Sequence, residues 1–190
     1  MEDKILLHRN GPIAQIIFNQ PEKRNAVSLE MWETVDKALQ TLKLDESIRA
    51  LILSGAGGKS FVAGADISKF DSERASKEGV TEYNNMTKKV YDGVANFPRP
   101  TIAQIDGFCI GGGVGLAASC DMRFCGNSSQ FAIPAAKLGL GYEYEGINRL
   151  VQLIGPAFTK EIFYTARRFS AEEMISMGFI NKILDDTDVA

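Results

Sequence analysis

The sequence holds one histidine, one tryptophan and three cysteines among 190 residues. The lone His8 lies in an N-terminal strand pattern, far in sequence from every motif discussed below, and is set aside as a catalytic group despite its suitable chemistry. Cys109, Cys120 and Cys125 are odd in number and lack zinc-ligand spacing. They read as reduced thiols in a cytosol-like, cytoplasmic compartment, with no metal cluster in view. Neither sign of charge dominates: 21 basic and 24 acidic residues are well mixed, for a net charge of −3. Without a basic stripe, nucleic acid is not an expected partner. No apolar run approaches the ~20 residues of a membrane span, and "MEDKILLHRN" opens with charge rather than with a basic and apolar leader. What is present is 45% hydrophobic residues, enough for a single core domain over 1–190 and hardly for two.

Strand and helix patterns alternate. "ILLHR" (5–9) and "IAQIIFN" (13–19) flank an Asn-Gly hairpin signal. Ser28 stands at an N-cap position before "LEMWETVDKALQTLKLD" (29–45), whose apolar residues follow a helical stripe. "RALILSG" (49–55) reads as a buried strand. The charged stretch 71–85 is expected to be mobile and partly helical. A helix follows over 86–97 and stops before "PRP". A strand over 101–107 leads into a glycine-started helix. Short strands at 122–126 and 130–134 precede helices at 147–155, 157–165 and 170–178, the last with a Ser170/Glu173 capping box. "FINKIL" (179–184) closes as a strand. This alternation predicts an α/β fold.

Two glycine motifs fail as nucleotide signatures. "SGAGGKS" (54–60) carries Leu53 where a phosphate loop needs its first glycine. "GGGVG" (111–115) has Leu116 where a dinucleotide fingerprint needs its third. The triplet Gly111–Gly113 instead opens a helix just after a strand. There, backbone N–H groups lack intrahelical partners and suit an anion, and no Cβ blocks its approach. The competing reading, a helix packed tightly on a sheet, stands equal at this stage. A second N–H from another loop would complete an oxyanion hole. "FVAGADI" offers Ala65, at a strand-to-helix corner before Asp66, itself a helix-cap residue.

"FVAGADIS" (61–68) and "IDGFCIGGGVGLAASCDMRFC" (105–125) together resemble the crotonase superfamily of enoyl-CoA hydratases and isomerases. "NQPEKRNAVS" (19–28), "FAIPAAKLGL" (131–140) and "RLVQLIGPAFTKEIFYTARRFSAEEMISMGFINKIL" (149–184) extend the resemblance over nearly the whole chain. It implies a ββα spiral, here with the C-terminal helical segment missing or truncated, and a trimer-based homo-oligomer. It implies an acyl-CoA substrate, no separate cofactor and no membrane. The oxyanion donors carried over are Ala65 and Gly112. CoA would lie along Asn25, Ala26 and Val27 and along Ala63, Gly64, Ala65, Asp66 and Ile67. Lys23 and Arg24 stand as phosphate neighbours, against a competing reading as solvated loop charge.

The pattern departs where hydratases of this family carry their two glutamates. Those positions are Gly115 and Ala135 here, and neither can transfer a proton. Counting from Leu138-Gly139, Glu143 falls at the position of the single isomerase base, with Glu145 as substitute. Tyr142 and Tyr144 flank it. One base suffices for a 1,3-proton shift, and burial against the acyl chain would suit it. The resemblance then implies a Δ3,Δ2-enoyl-CoA isomerase-like enzyme. The alternatives are a divergent hydratase, or a catalytically silent acyl-CoA-binding protein in which both glutamates are exposed loop charges.

Overall fold

A computed structural model describes residues 3–69 and 76–189. Strand β1 (Ile5–Asn10) turns at Gly11 into β2 (Ile13–Phe18), and the two pair antiparallel, as the Asn-Gly signal predicts. Along β2, Ala14, Ile16 and Phe18 are buried, the period-2 pattern of a strand with one face on the core. Helix α1 (Leu29–Leu44) starts where Ser28 Oγ accepts the Met31 amide. Its buried face carries Trp32, Val35, Leu39 and Leu42, which recur at helical spacing.

Three strand-strand-helix turns follow. The first is β3 (Ala50–Gly55), β4 (Ser60–Val62) and α2 (Lys77–Ala95). The second is β5 (Thr101–Ile105), β6 (Phe108–Ile110) and α3 (Gly112–Ala118). The third is β7 (Met122–Gly126), β8 (Gln130–Ala132), a four-residue α4 (Ala135–Leu138) and the long α5 (Tyr144–Thr165). The chain then forms β9 (Phe169–Ser170), α6 (Ala171–Ser176) and β10 (Lys182–Leu184). The first strand of each turn joins one sheet, ordered β1-β2-β3-β5-β7-β10, and the second joins another, ordered β4-β6-β8-β9. All neighbours are parallel except β1/β2 and β8/β9. This is the ββα spiral expected of the resemblance.

Several boundaries differ from the sequence reading. Residues 71–75 of the charged stretch lie outside the described residues. From Ser76 onward, however, one continuous helix replaces the expected mobile segment and separate helix. Ser76 Oγ accepts the Gly79 amide, and Tyr83, Val90 and Val94 are buried. Polar residues between these anchors mask the stripe in sequence. The expected 101–107 strand ends at Ile105 as β5, and a second strand of the other sheet, β6, follows the turn at Gly107 before the glycine helix. Helix α5 begins at Tyr144, not at 147. The two helices expected over 147–165 abut across Gly155, whose φ of 74° breaks the helix before Pro156. "SGAGGKS" is the glycine-rich turn from β3 to β4.

The far end of α3 is anchored from within the core. Arg123 is 3% exposed. It donates to the carbonyls of Phe179 (2.5 Å), Cys120 (2.7 Å) and Ala117 (3.3 Å), and its guanidinium stacks 5.4 Å from the Phe179 ring centroid. A buried cation at the carbonyl end of a helix opposes the negative pole of the helix dipole. Asp121 accepts the Thr101 amide and hydroxyl, tying the same turn to β5. All three cysteines are free and buried. Burial pushes the Cys109 thiol well above its ordinary range and those of Cys120 and Cys125 to about 12.

Candidate active site

β4, β6 and β8 run parallel, so their carboxyl ends open on one edge. The residues that leave those ends all line one cavity of about 460 Å³: Ala63, Gly64 and Ala65 after β4, Gly111 and Gly112 after β6, Pro134 and Ala135 after β8. Parallel neighbours stand about 4.8 Å apart. Equivalent exits from adjacent strands are therefore close enough to address one ligand atom. Here a Cβ built on Gly64 would stand 4.0 Å from the Gly112 nitrogen.

Two backbone amides are left open at this edge. Val27 donates to the Gly64 carbonyl and accepts from the Asp66 amide, in a one-residue parallel bridge to Ala65. In such a ladder the bridged residue's own N–H points to the other side, so the Ala65 amide faces away from Val27. Gly64 makes this turn with φ of 94°, a conformation open to glycine. The Gly112 amide is the first of α3 and has no intrahelical acceptor. It too follows a glycine at positive φ, Gly111 at 56°. The Gly111 amide is spent on the Ala132 carbonyl at 2.8 Å. The glycines of the triplet thus differ in their surroundings. Gly112 presents its amide to the cavity, whereas a Cβ at Gly113 would overlap the Val62 carbonyl oxygen, so Gly113 serves close packing of α3 on β4.

At Gly115 the missing side chain has a physical counterpart. A Cβ there would stand 2.8–3.1 Å from the Tyr91 ring and hydroxyl. Tyr91 reaches in from α2, packs edge-on against Trp32 and donates its hydroxyl to the Gly112 carbonyl at 2.6 Å. Burial pushes its phenol well above the ordinary value, so it stays neutral. Tyr142 lines the same cavity, packed edge-on against Phe163 at 5.0 Å. Its hydroxyl would stand 3.8 Å from a Cβ on Gly111. Tyr144, expected beside it, is 75% exposed and does not line the cavity.

Glu143 and Glu145 both line the cavity. Glu143 is the N-cap residue of α5, but its carboxylate makes no capping bond and has no partner among the described residues. It is exposed, so the expected burial is not present in the protein alone. Glu145 lies in the first turn of α5 and pairs with Lys88 at 3.1 Å. Its own backbone amide and the Lys88 ammonium hold its carboxyl below the usual range. Lys88 also approaches Asp92 (3.6 Å), which Arg149 holds at 2.5 Å. A carboxylate engaged in such a network is a poorer proton acceptor than a free one. Sequence reasoning missed Tyr91, Lys88, Asp92 and Arg149. α2 and α5 bring them over the cavity from distant positions, and no motif marks them.

The loop before α1 lies beside this cavity without lining it. Asn25 and Val27, expected along CoA, are fully buried. The Asn25 side chain accepts the Gln20 amide and donates to the carbonyls of Ala56 and Ser60, which staples the loop. Val27 is spent on its bridge and on accepting the Tyr83 hydroxyl. The Ala26 carbonyl accepts from Gln20. Lys23 is bonded to Asp66 (2.9 Å) and Ser68 (2.8 Å), and the Arg24 guanidinium lies 5.0 Å from the Phe108 ring centroid. Asp66 is buried and caps the turn through the Ser68 amide at 3.0 Å. Burial raises its carboxyl, but the Ser68 and Lys23 bonds outweigh this and leave it below the usual value. None of residues 23–27, nor Asp66, lines the cavity, whereas Ala63, Gly64, Ala65 and Ile67 do. His8 pairs with Gln15 across the β1/β2 hairpin and does not line it either.

Comparison with known proteins agrees with this architecture. The family model described as enoyl-CoA hydratase/isomerase matches residues 8–190. The chain is 32% identical over 187 residues to the short-chain-enoyl-CoA hydratase of Clostridium acetobutylicum, covering 98% of this chain and 71% of that protein. It is 31% identical over 186 residues to the mitochondrial Delta(3,5)-Delta(2,4)-dienoyl-CoA isomerase of Mus musculus, covering 93% and 57%. The crystal structure of an enoyl-CoA hydratase/carnithine racemase from Magnetospirillum magneticum superposes with a TM-score of 0.95 at 36% identity, over 100% of this chain and 71% of that one. Among the described residues, no helix is long and apolar enough to cross a membrane. With a ββα spiral, a matching family model over nearly its whole length and relatives above 30% identity, the chain belongs to the enoyl-CoA hydratase/isomerase family, that is, to the crotonase superfamily.

Proposed function

We propose that the protein isomerises a 3-enoyl-CoA thioester to the conjugated 2-enoyl form. The thioester oxygen sits between the amides of Ala65 and Gly112. Glu143 takes a proton from C2, and the electron pair moves into the thioester as an enolate while the C3–C4 double bond is still in place. Glu143 then returns the proton at C4, and the double bond comes to rest between C2 and C3. Two amides aimed at the growing oxyanion supply the main stabilisation. One such donor is worth about 3–4 kcal/mol in measured cases.

The observation that carries this reading is the pair of unspent amides, each released by a glycine at positive φ, on the same cavity as a free carboxylate. The absence of carboxylates at Gly115 and Ala135 favours proton relocation over water addition. Glu145, already paired with Lys88, is the weaker base.

The test follows the absorbance of the conjugated thioester. A gain of signal from 3-enoyl-CoA is expected, and Glu143→Gln should lower kcat about 100-fold with KM little changed, the typical weight of a general base. Full activity of Glu143→Gln would remove Glu143 from the mechanism. Loss of signal from 2-enoyl-CoA would mark a hydratase, and binding without turnover a silent acyl-CoA-binding protein.

A further inference from the structure

Tyr91 is the one group that touches both anomalies of this site. It stands in the room beside Gly115, where the family resemblance implies a carboxylate in hydratases, and it holds Gly112, whose amide is a proposed oxyanion donor. We propose that Tyr91 is the positioning residue of this site: its hydroxyl holds the first turn of α3 by the Gly112 carbonyl, and its ring walls off the space at Gly115. The inference rests on the oxyanion reading above and extends it to a residue that no motif marks.

Each half has its own geometry. The hydroxyl lies 2.6 Å from the Gly112 oxygen, the shortest approach of any side chain to this turn that the structure describes. The carbonyl it holds belongs to the residue whose amide opens on the cavity, so rotation of that turn is resisted. A first helical turn otherwise frays readily. The ring is fixed in turn by its edge-on contact with Trp32, at 5.8 Å between centroids, and Trp32 donates its indole N–H to Tyr83 at 3.0 Å. A chain of packed and bonded aromatics thus runs from the core of α1 to the donor turn. At Gly115 the ring occupies the volume of a side chain, so that volume holds neither a carboxylate nor a water beside the enolate. A neutral, half-buried phenol supplies no base there. The site is left with Glu143 as the only unpaired carboxylate among its described lining residues.

Three substitutions, singly and in one pair, test this. Tyr91→Phe keeps the ring and removes the hydroxyl. Isomerisation is expected to lose about tenfold in kcat, the weight of one hydrogen bond of about 1.4 kcal/mol, with KM within twofold. An unchanged kcat, or a loss carried wholly by KM, overturns the positioning role. Gly115→Ala is then compared in the wild-type and Tyr91→Ala backgrounds. A coupled pair is expected: a marked drop in melting temperature with Tyr91 present, and none or a rise with Tyr91 removed. Equal effects in both backgrounds overturn the steric half. This melting cycle needs no turnover. If the wild type shows no isomerisation, the proposed activity fails by itself, and the cycle together with binding of a saturated acyl-CoA still decides the role of Tyr91. Weaker binding of the enolate form of acetoacetyl-CoA in Tyr91→Phe, with saturated acyl-CoA binding within twofold, would support it. Parallel changes for both ligands would overturn it.

Discussion

Gly113→Ala sets two effects of opposite sign against each other. In a helix interior, alanine is better than glycine by about 1 kcal/mol, so propensity alone predicts a more stable protein. But Gly113 faces the backbone of β4. The new Cβ would overlap the Val62 carbonyl oxygen and stand 3.1 Å from the Val62 carbonyl carbon and Cβ. These are strand atoms, pinned by pairing with β6, and cannot swing aside as a flexible side chain would. α3 must move off the sheet by roughly 1 Å, and such overpacking costs about 1–3 kcal/mol. Near the upper end of that range the clash wins by about 2 kcal/mol, which lowers the melting temperature by roughly 4–8 °C in a chain of this size. The same displacement carries the Gly112 amide away from Ala65, and a 1 Å misplacement costs on the order of 100-fold in turnover. Gly146→Ala, in the first turn of α5, is the control: nothing lies within 4 Å of its built Cβ, so propensity acts alone. It should raise the melting temperature by about 2–4 °C. Scanning calorimetry on both variants decides the matter. If Gly113→Ala also melts higher, α3 does not pack on β4 as described, and the geometry of the amide pair falls with it.

Arg123→Met should lower stability by about 3 kcal/mol, because three buried carbonyls lose their donor, partly offset by no longer burying a charge without a carboxylate partner. Chemical denaturation measures it, and a loss below about 1 kcal/mol would show that Arg123 does not anchor α3. Asp66 predicts an acid dependence. Its folded carboxyl lies below the ordinary value, so its contribution is present above the unfolded pKa of about 3.9 and is lost as pH falls through the lower folded one. Asp66→Asn should therefore flatten the loss of stability below about pH 4, and melting curves at pH 3 to 6 that coincide in slope with the wild type would refute this.

Local signals in the chain fixed much of the fold. The Asn-Gly hairpin, the Ser28 and Ser170 caps and the apolar stripe of α1 depend on neighbours within one or two turns, and the structure keeps all of them. The alternation of strand and helix gave the class, and the glycine triplet pointed to a helix N-terminus with open amides. What sequence could not supply was anything that depends on two segments meeting. That β5 and β6 belong to different sheets follows from a turn at Gly107 whose strands find their partners 20 or more residues away. Asn25, expected along CoA, is the buried staple of its loop, because its partners come from the β3–β4 connection. The three glycines of the triplet look alike on paper. Only packing against β4 and β8 assigns conformation to Gly111, an open amide to Gly112 and close contact to Gly113. Gly115 marks a missing carboxylate in the sequence, while the tyrosine that fills its place stands 24 positions earlier and is brought there by α2. Backbone propensity and capping act over a few residues and can be read along the chain. Steric exclusion and shared hydrogen bonds act through space, and they exist only once the spiral has closed.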